Sequence, residues 1–191
     1  MTLAAVPRET SRLSLEPFRR RDVDPLVEAV RASLPELSRW LPWPHAHYGR
    51  SDATRFIRDS MRSWREQRAF DFALRAHHAP NHHLGNISIW HTSRQFRVGE
   101  IGYWIRSDAT GRGIATEAAS AMLALGFGPL GMHRITLRIA VGNIASERIA
   151  EKLGFTREGV LREVIKVGDQ WMDHTLFSLL DSEYRARPPH G

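Results

Sequence analysis

Cysteine is absent from the 191 residues. Its absence excludes disulfides, cysteine zinc sites and any acyl-cysteine intermediate, and it fits a reducing compartment. No run of residues is long and apolar enough to span a bilayer. The opening "MTLAAVPRETSR" has no adequate hydrophobic stretch for a signal peptide. The expectation is therefore a cytoplasmic protein with no membrane association. Internal repeats and low-complexity tracts are missing as well. What is present is ordinary for a globular domain, with 42% apolar and 25% charged residues. A net charge of +6 suits an acidic partner: RNA, an anionic membrane or a polyphosphate cofactor.

The chain reads as one domain over residues 12–184, with flexible ends at 1–11 and 185–191. "RLSLEPF" alternates like a half-buried strand. Asp22 and Pro25 open a helix that carries Leu26, Val27 and Val30 on one face. "LSRWLPWPHAHYG" reads as a loop. Ser51 or Asp52 starts a second helix through about Gln67. Three strands follow, at Phe70 to Arg75, Leu84 to Trp90 and Val98 to Ile105. A helix over roughly Gly113 to Phe127, the strand "RITLRIAV", the short helix "NIASERIAEKLG" and two strands about "VGDQ" complete the order. This is an α/β (α+β) chain with a mixed sheet of about seven strands flanked by about four helices.

One stretch stands out. "DATGRGIATEAA" places two glycines at a helix start, where backbone N–H groups lack partners and the helix dipole adds positive charge. Gly111 and Gly113 would let phosphate oxygens approach that backbone, with Arg112 adding charge. A dinucleotide fingerprint fits poorly, because Thr116 takes its last position and no acidic residue follows at the needed distance. A P-loop fits poorly too, because Ile114 and Ala115 stand where Lys and Ser or Thr belong. A tight turn with no ligand remains open.

A second motif, "NIASERIAEKLGF", follows the next strand. With it, the chain resembles the GNAT N-acetyltransferase superfamily, in particular its RimJ/RimL-type branch, the ribosomal-protein-alanine N-acetyltransferases. The cofactor motif Gln/Arg-x-x-Gly-x-Gly/Ala falls on Thr110, Gly111, Arg112, Gly113, Ile114 and Ala115. "EIGYWI", "ATEA", "RWLPW" and the pattern of Asn143, Ser146 and Lys152 to Phe155 extend the likeness from about Arg12 to Tyr184. Thr110 departs from the motif, but a backbone cradle does not require that side chain.

The resemblance implies a GNAT-like twisted sheet with a splayed central pair. It implies acetyl-CoA as co-substrate, no metal, and direct transfer of acetyl to an amine. Residues Gly111 to Thr116 would hold the diphosphate. Asn143 would contact the pantetheine arm, and the N–H near Ile105 would polarise the thioester carbonyl. Glu100 is the candidate base, unless it merely pairs with an arginine. Ser146 is the candidate for stabilising the thiolate, because Ala150 stands where many relatives carry a tyrosine; its alternative is a first-turn residue bonding its own backbone. Trp40, Trp43, His45 and Tyr103 are the candidate acceptor contacts. The favoured acceptor is a ribosomal-protein-like N-terminal amine. Rivals are a small-molecule amine, a succinyl-type acyl group and a non-catalytic acyl-CoA-binding module. A homodimer stays open.

His77, His78, His82 and His83 sit together in "HHAPNHH", but nothing there fixes zinc geometry, so they read as a solvated loop. Arg58, Arg62 and Arg65 share a helix face without a recognised RNA-binding motif, so no direct nucleic-acid contact is expected. Trp90, Tyr103, Trp104 and Trp171 read as strand residues of the core or cleft wall.

Overall fold

In the computed structural model, which describes residues 8–186, the chain opens on a two-residue strand, β1 (Arg8–Glu9). The alternation of "LSLEP" becomes β2 (Leu13–Pro17), with Leu13, Leu15 and Pro17 buried. Three helices follow: α1 (Val23–Ala32), α2 (Leu34–Trp40) and α3 (Arg50–Arg65). The meander is β3 (Ala69–Ala76), β4 (Gly85–Ser93) and β5 (Val98–Ile105). The remaining elements are α4 (Ile114–Phe127), β6 (Arg134–Ala140), α5 (Ile144–Lys152), β7 (Thr156–Val167), β8 (Gln170–Leu180) and α6 (Asp181–Arg185). Among the described residues, no helix is long and apolar enough to cross a membrane.

All eight strands form one sheet in the order β1-β2-β3-β4-β5-β6-β8-β7. Neighbours run antiparallel except β5 and β6, which are parallel. The parallel pair needs a crossover, and α4 supplies it. Each face of the sheet has its own core. On one side α4 buries Ala118, Met122 and Leu123 against Ile87, Ile89, Ile101 and Ile135. On the other, α1 and α3 pack Leu26, Val30 and Ile57 with Phe18 and Trp104.

Sequence periodicity located the long elements and missed the short ones. β1, α2 and α6 are too brief to show a period, so the sheet has eight strands where about seven were expected, and six helices flank it where about four were expected. The segment read as a loop from Leu37 begins inside α2. α3 starts at Arg50 rather than Ser51 or Asp52; Asp52 instead accepts the Gly49 N–H at 3.1 Å, one turn back. Trp171 is exposed on the β7–β8 hairpin, not in a core. Of the two ends read as flexible, residues 1–7 and 187–191 lie outside the described residues.

Residues 8–12 are tied to the helix that bears the glycine turn. Glu117, in the first turn of α4, accepts from Thr10 Oγ1 at 2.6 Å, Arg12 N at 2.9 Å and Arg12 Nε at 2.7 Å. Arg12 also donates to the Arg112 carbonyl at 3.0 Å. Burial pushes the Glu117 carboxyl up, but these donors together outweigh it and hold it below the usual range. A depressed carboxyl stabilises the fold above its unfolded pKa, and that contribution is lost as pH falls through the folded value. Glu117→Ala should therefore cost about 2 kcal/mol at pH 7, the scale of hydrogen bonds to a charged acceptor. In denaturant unfolding, the gap between wild type and variant should narrow as pH drops below the ordinary carboxylate range.

Candidate active site

The site begins where strand pairing stops. β5 and β6 pair at Val98–Arg134, Gly99–Ile135 and Glu100–Thr136, and no further. Beyond Glu100, β5 continues along β4 while β6 continues along β8. A cleft of about 220 Å³ fills the gap, bordered by Glu100, Tyr103, Arg138, Asn143 and Ser146. This is the splayed central pair that the resemblance implied. The N–H of Arg106 bonds to the Leu84 carbonyl at 2.8 Å. Alternation along the strand then turns the N–H groups of Tyr103 and Ile105 the other way, into the gap.

The glycine turn lies at the end of β5. Gly111 and Gly113 both adopt left-handed backbone, with φ of 73° and 78°. A side chain at either position would be strained. Gly113 caps α4 without any side-chain hydrogen bond. Among the described residues, none of the N–H groups of Gly111, Arg112, Gly113, Ile114, Ala115 and Thr116 finds an acceptor. Free donors at a helix N-terminus are what a diphosphate requires, so these residues fit the group that the motif implies.

α5 delivers its residues from the far side of the gap. The Asn143 side chain accepts the Ser146 N–H at 3.3 Å, which caps the helix. The Ser146 N–H is thus satisfied and its hydroxyl is left to the cleft. There it faces Tyr103, whose buried hydroxyl lacks a well-aligned partner among the described residues. Burial, only partly offset by Ser146, pushes the Tyr103 phenol up to about 12. Tyr103 therefore keeps its proton at neutral pH and can offer it in a hydrogen bond.

Glu100 is buried and accepts from Arg138 Nε at 2.8 Å. The arginine pairing weighed from sequence is thus real. Burial raises the Glu100 carboxyl, and Arg138 only partly restrains the rise. A raised carboxylate is a stronger base, so pairing and proton transfer are compatible roles.

The sheet has a side that carries the glycine turn and α4, and a second side. Register places Asn86 opposite Trp104, Ser88 opposite Gly102 and Trp90 opposite Glu100, all on the face covered by α1 and α3. A cavity of about 580 Å³ opens on that face, lined by Trp43, His45, Tyr48, Asn86, Ser88 and Trp90, among others. Trp90, Gly102 and Tyr103 border both cavities, so the two adjoin across these residues. The Trp90 indole lies over Gly102, 3.1 Å from where a side chain would begin. Three expected acceptor contacts, Trp43, His45 and Tyr103, line the large cavity; Trp40 borders the smaller cleft instead. His45 Nε2 lies 3.6 Å from Asp52.

Asn86, Ser88 and Arg138 were not singled out from sequence. The signal was there in "GNISIW", where polar residues alternate with isoleucines in a strand buried on both faces. His83 is the other correction: it does not belong to a solvated loop. It is buried beside Phe18 and Trp104, with Nε2 2.6 Å from Asn86 Oδ1.

The chain is similar to known proteins. YdaF of Bacillus subtilis (strain 168), whose name assigns it to the ribosomal N-acetyltransferases, is 30% identical over 90% of this chain and 91% of its own. The ribosomal-protein-serine acetyltransferase of Escherichia coli (strain K12) is 23% identical over 90% and 94%. The structure of Mycobacterium smegmatis RimJ in complex with CoA-disulfide superimposes with a TM-score of 0.81 at 26% identity, covering 90% of this chain and 83% of that one. The family described as the acetyltransferase (GNAT) domain matches residues 12–156, spanning the splay, the glycine turn and α5 together. The chain belongs to the GNAT acetyltransferase family and is an acyl-CoA-dependent N-acetyltransferase with acetyl-CoA as its co-substrate.

Proposed function

We propose that the acceptor is the α-amine of a protein N-terminus, as in ribosomal proteins, and that Glu100, Ser146 and Tyr103 serve the transfer. The observation that supports this reading is that the large aromatic-walled cavity adjoins the cleft between β5 and β6, with Trp90, Gly102 and Tyr103 bordering both. An extended N-terminus can enter the cavity and bring its first nitrogen to the gap. The names of YdaF and of the Escherichia coli relative point to the same class of acceptor.

Acetyl-CoA supplies the thioester acetyl group: as the amine nitrogen bonds to the carbonyl carbon, the carbon–sulfur bond breaks. Glu100, on the acceptor face, takes the proton that the amine must lose. The N–H groups of Tyr103 and Ile105 point to where negative charge develops on the carbonyl oxygen. On the cofactor side, Tyr103 or Ser146 returns a proton to the departing sulfur. The two proton positions lie on opposite faces of the sheet, so the residues do not compete.

Acetyl-CoA with N-terminal peptides of ribosomal proteins should give acetylation at the α-amine by mass spectrometry. Faster acetylation of lysine side chains or simple diamines would overturn this reading, and higher turnover with succinyl-CoA would change the acyl group. Glu100→Gln should lower kcat on the order of 10²-fold or more, the usual worth of a general base, while acetyl-CoA affinity holds. The wild-type kcat should rise with pH through a pKa above the ordinary carboxylate range. Arg138→Met removes the group that restrains Glu100, so that limb should move to higher pH. A limb that stays in place would remove Glu100 from the proton path.

Tyr103→Phe and Ser146→Ala test the leaving-group side. Each should reduce kcat more than it raises the KM for acetyl-CoA, the mark of an interaction made mainly in the transition state. The double variant should fall further than either alone if both serve the sulfur. A change confined to KM would make them binding residues.

A further inference from the structure

The floor of the acceptor cavity carries two polar side chains whose hydrogen-bonding polarity is already fixed. Asn86 and Ser88 lie two apart on β4, on the same face, about 7 Å from each other by strand geometry. Each is held from behind by a partner that leaves one kind of group free.

Asn86 Oδ1 receives Nε2 of His83 at 2.6 Å. Burial pushes the His83 pKa down to about 4, so the ring is neutral and carries a single proton. A proton on Nε2 satisfies the Asn86 oxygen and leaves His83 Nδ1 bare, in agreement with its having no partner among the described residues. The Asn86 amide nitrogen also has no partner among the described residues, and it is left as a donor toward the cavity. Ser88 has the opposite polarity. Its hydroxyl donates to Asp71 Oδ1 at 2.6 Å, which commits its proton and leaves its lone pairs free. The carboxylate behind it makes that oxygen a better acceptor for a cationic or neutral amine.

We propose that Asn86 and Ser88 read the first aminoacyl unit of the acceptor, Asn86 donating to its carbonyl oxygen and Ser88 accepting from its amine. This rests on the amine-acceptor reading above and narrows it to amines with an adjacent carbonyl. An aminoacyl unit places its acceptor oxygen and its donor nitrogen three bonds apart. The strand presents a donor and an acceptor at a spacing that two hydrogen bonds can bridge. An alkylamine or polyamine would leave Asn86 unpaired in a largely desolvated floor, which a polar site penalises strongly. His83 and Asp71 are positioning residues: they set which atoms of Asn86 and Ser88 face the ligand.

Trp43, Trp90 and Trp104 line the cavity and report on it by fluorescence. The full chain, saturated with CoA, is titrated with alaninamide and with 3-methylbutan-2-amine, its isostere lacking the carbonyl. Wild type should bind alaninamide roughly tenfold or more tightly, the worth of one buried hydrogen bond. Asn86→Leu should abolish that preference and leave the alkylamine affinity in place. Asn86→Asp keeps the shape and the His83 contact but turns an oxygen to the cavity, and it should also lose the preference. Ser88→Ala should weaken both probes alike. His83→Phe preserves the packing against Phe18 and Trp104, frees the Asn86 amide to rotate, and should reduce the preference without changing CoA affinity. Equal affinity of wild type for the two probes, no saturable response to alaninamide, or a preference that survives Asn86→Leu overturns the proposal. The readout is binding, so it is separate from turnover. A chain that shows this preference yet acetylates no N-terminal peptide would refute the protein-terminus reading and leave the aminoacyl reading standing.

Discussion

Three rungs of parallel pairing, ending at Glu100 and Thr136, set everything that follows. A sheet that continued to pair would satisfy the backbone of β5 and close the cleft. Because β6 turns to β8 instead, the N–H groups of Tyr103 and Ile105 are left facing a gap through the middle of the sheet. Unpaired backbone donors in a protein interior carry a cost. In the proposed reading a ligand with the right acceptors in the gap offsets that cost, and the defect in pairing is also the binding element.

The gap lets the two faces of one sheet divide the work. α4 and α5 bring the amide cradle, Asn143 and Ser146 to one side. α1 and α3, with the polar face of β4, shape the large cavity proposed for the acceptor on the other. β5 is common to both: Glu100 lies on the α1–α3 face, proposed for the acceptor, and Tyr103 on the α4 face, proposed for the cofactor. Alternation of side chains along a strand thus separates the group proposed to take a proton from the group proposed to give one. Burial shifts both groups upward, making the carboxylate more basic and keeping the phenol protonated.

Much of this was legible in the residues. The glycine pair marked the turn into α4, because Gly111 and Gly113 both take left-handed backbone there. "NIASERIAEKLG" marked α5 through its cap, and the strands of the meander followed their alternation. The cavity was not legible in the same way. Trp43 and His45 come from the segment after α2, Asn86 from β4 and Tyr103 from β5, and only the register of the sheet brings them together. His83 shows the limit most plainly. Its neighbours in "HHAPNHH" are polar, so nothing local distinguishes it, yet the turn before β4 drives it between Phe18 and Trp104. Glu117 was equally hidden, since its donors sit more than a hundred residues away in sequence.

The central claim is that free backbone donors at the glycine turn and in the sheet gap hold the acyl carrier. Amide hydrogen exchange with and without saturating CoA, read residue by residue, tests it directly. Exchange at Gly111 to Thr116, and at Tyr103 and Ile105, should slow on the order of tenfold or more when CoA binds, because free N–H groups gain acceptors. Exchange at those amides that stays unchanged while CoA binds would contradict the account and place the carrier elsewhere.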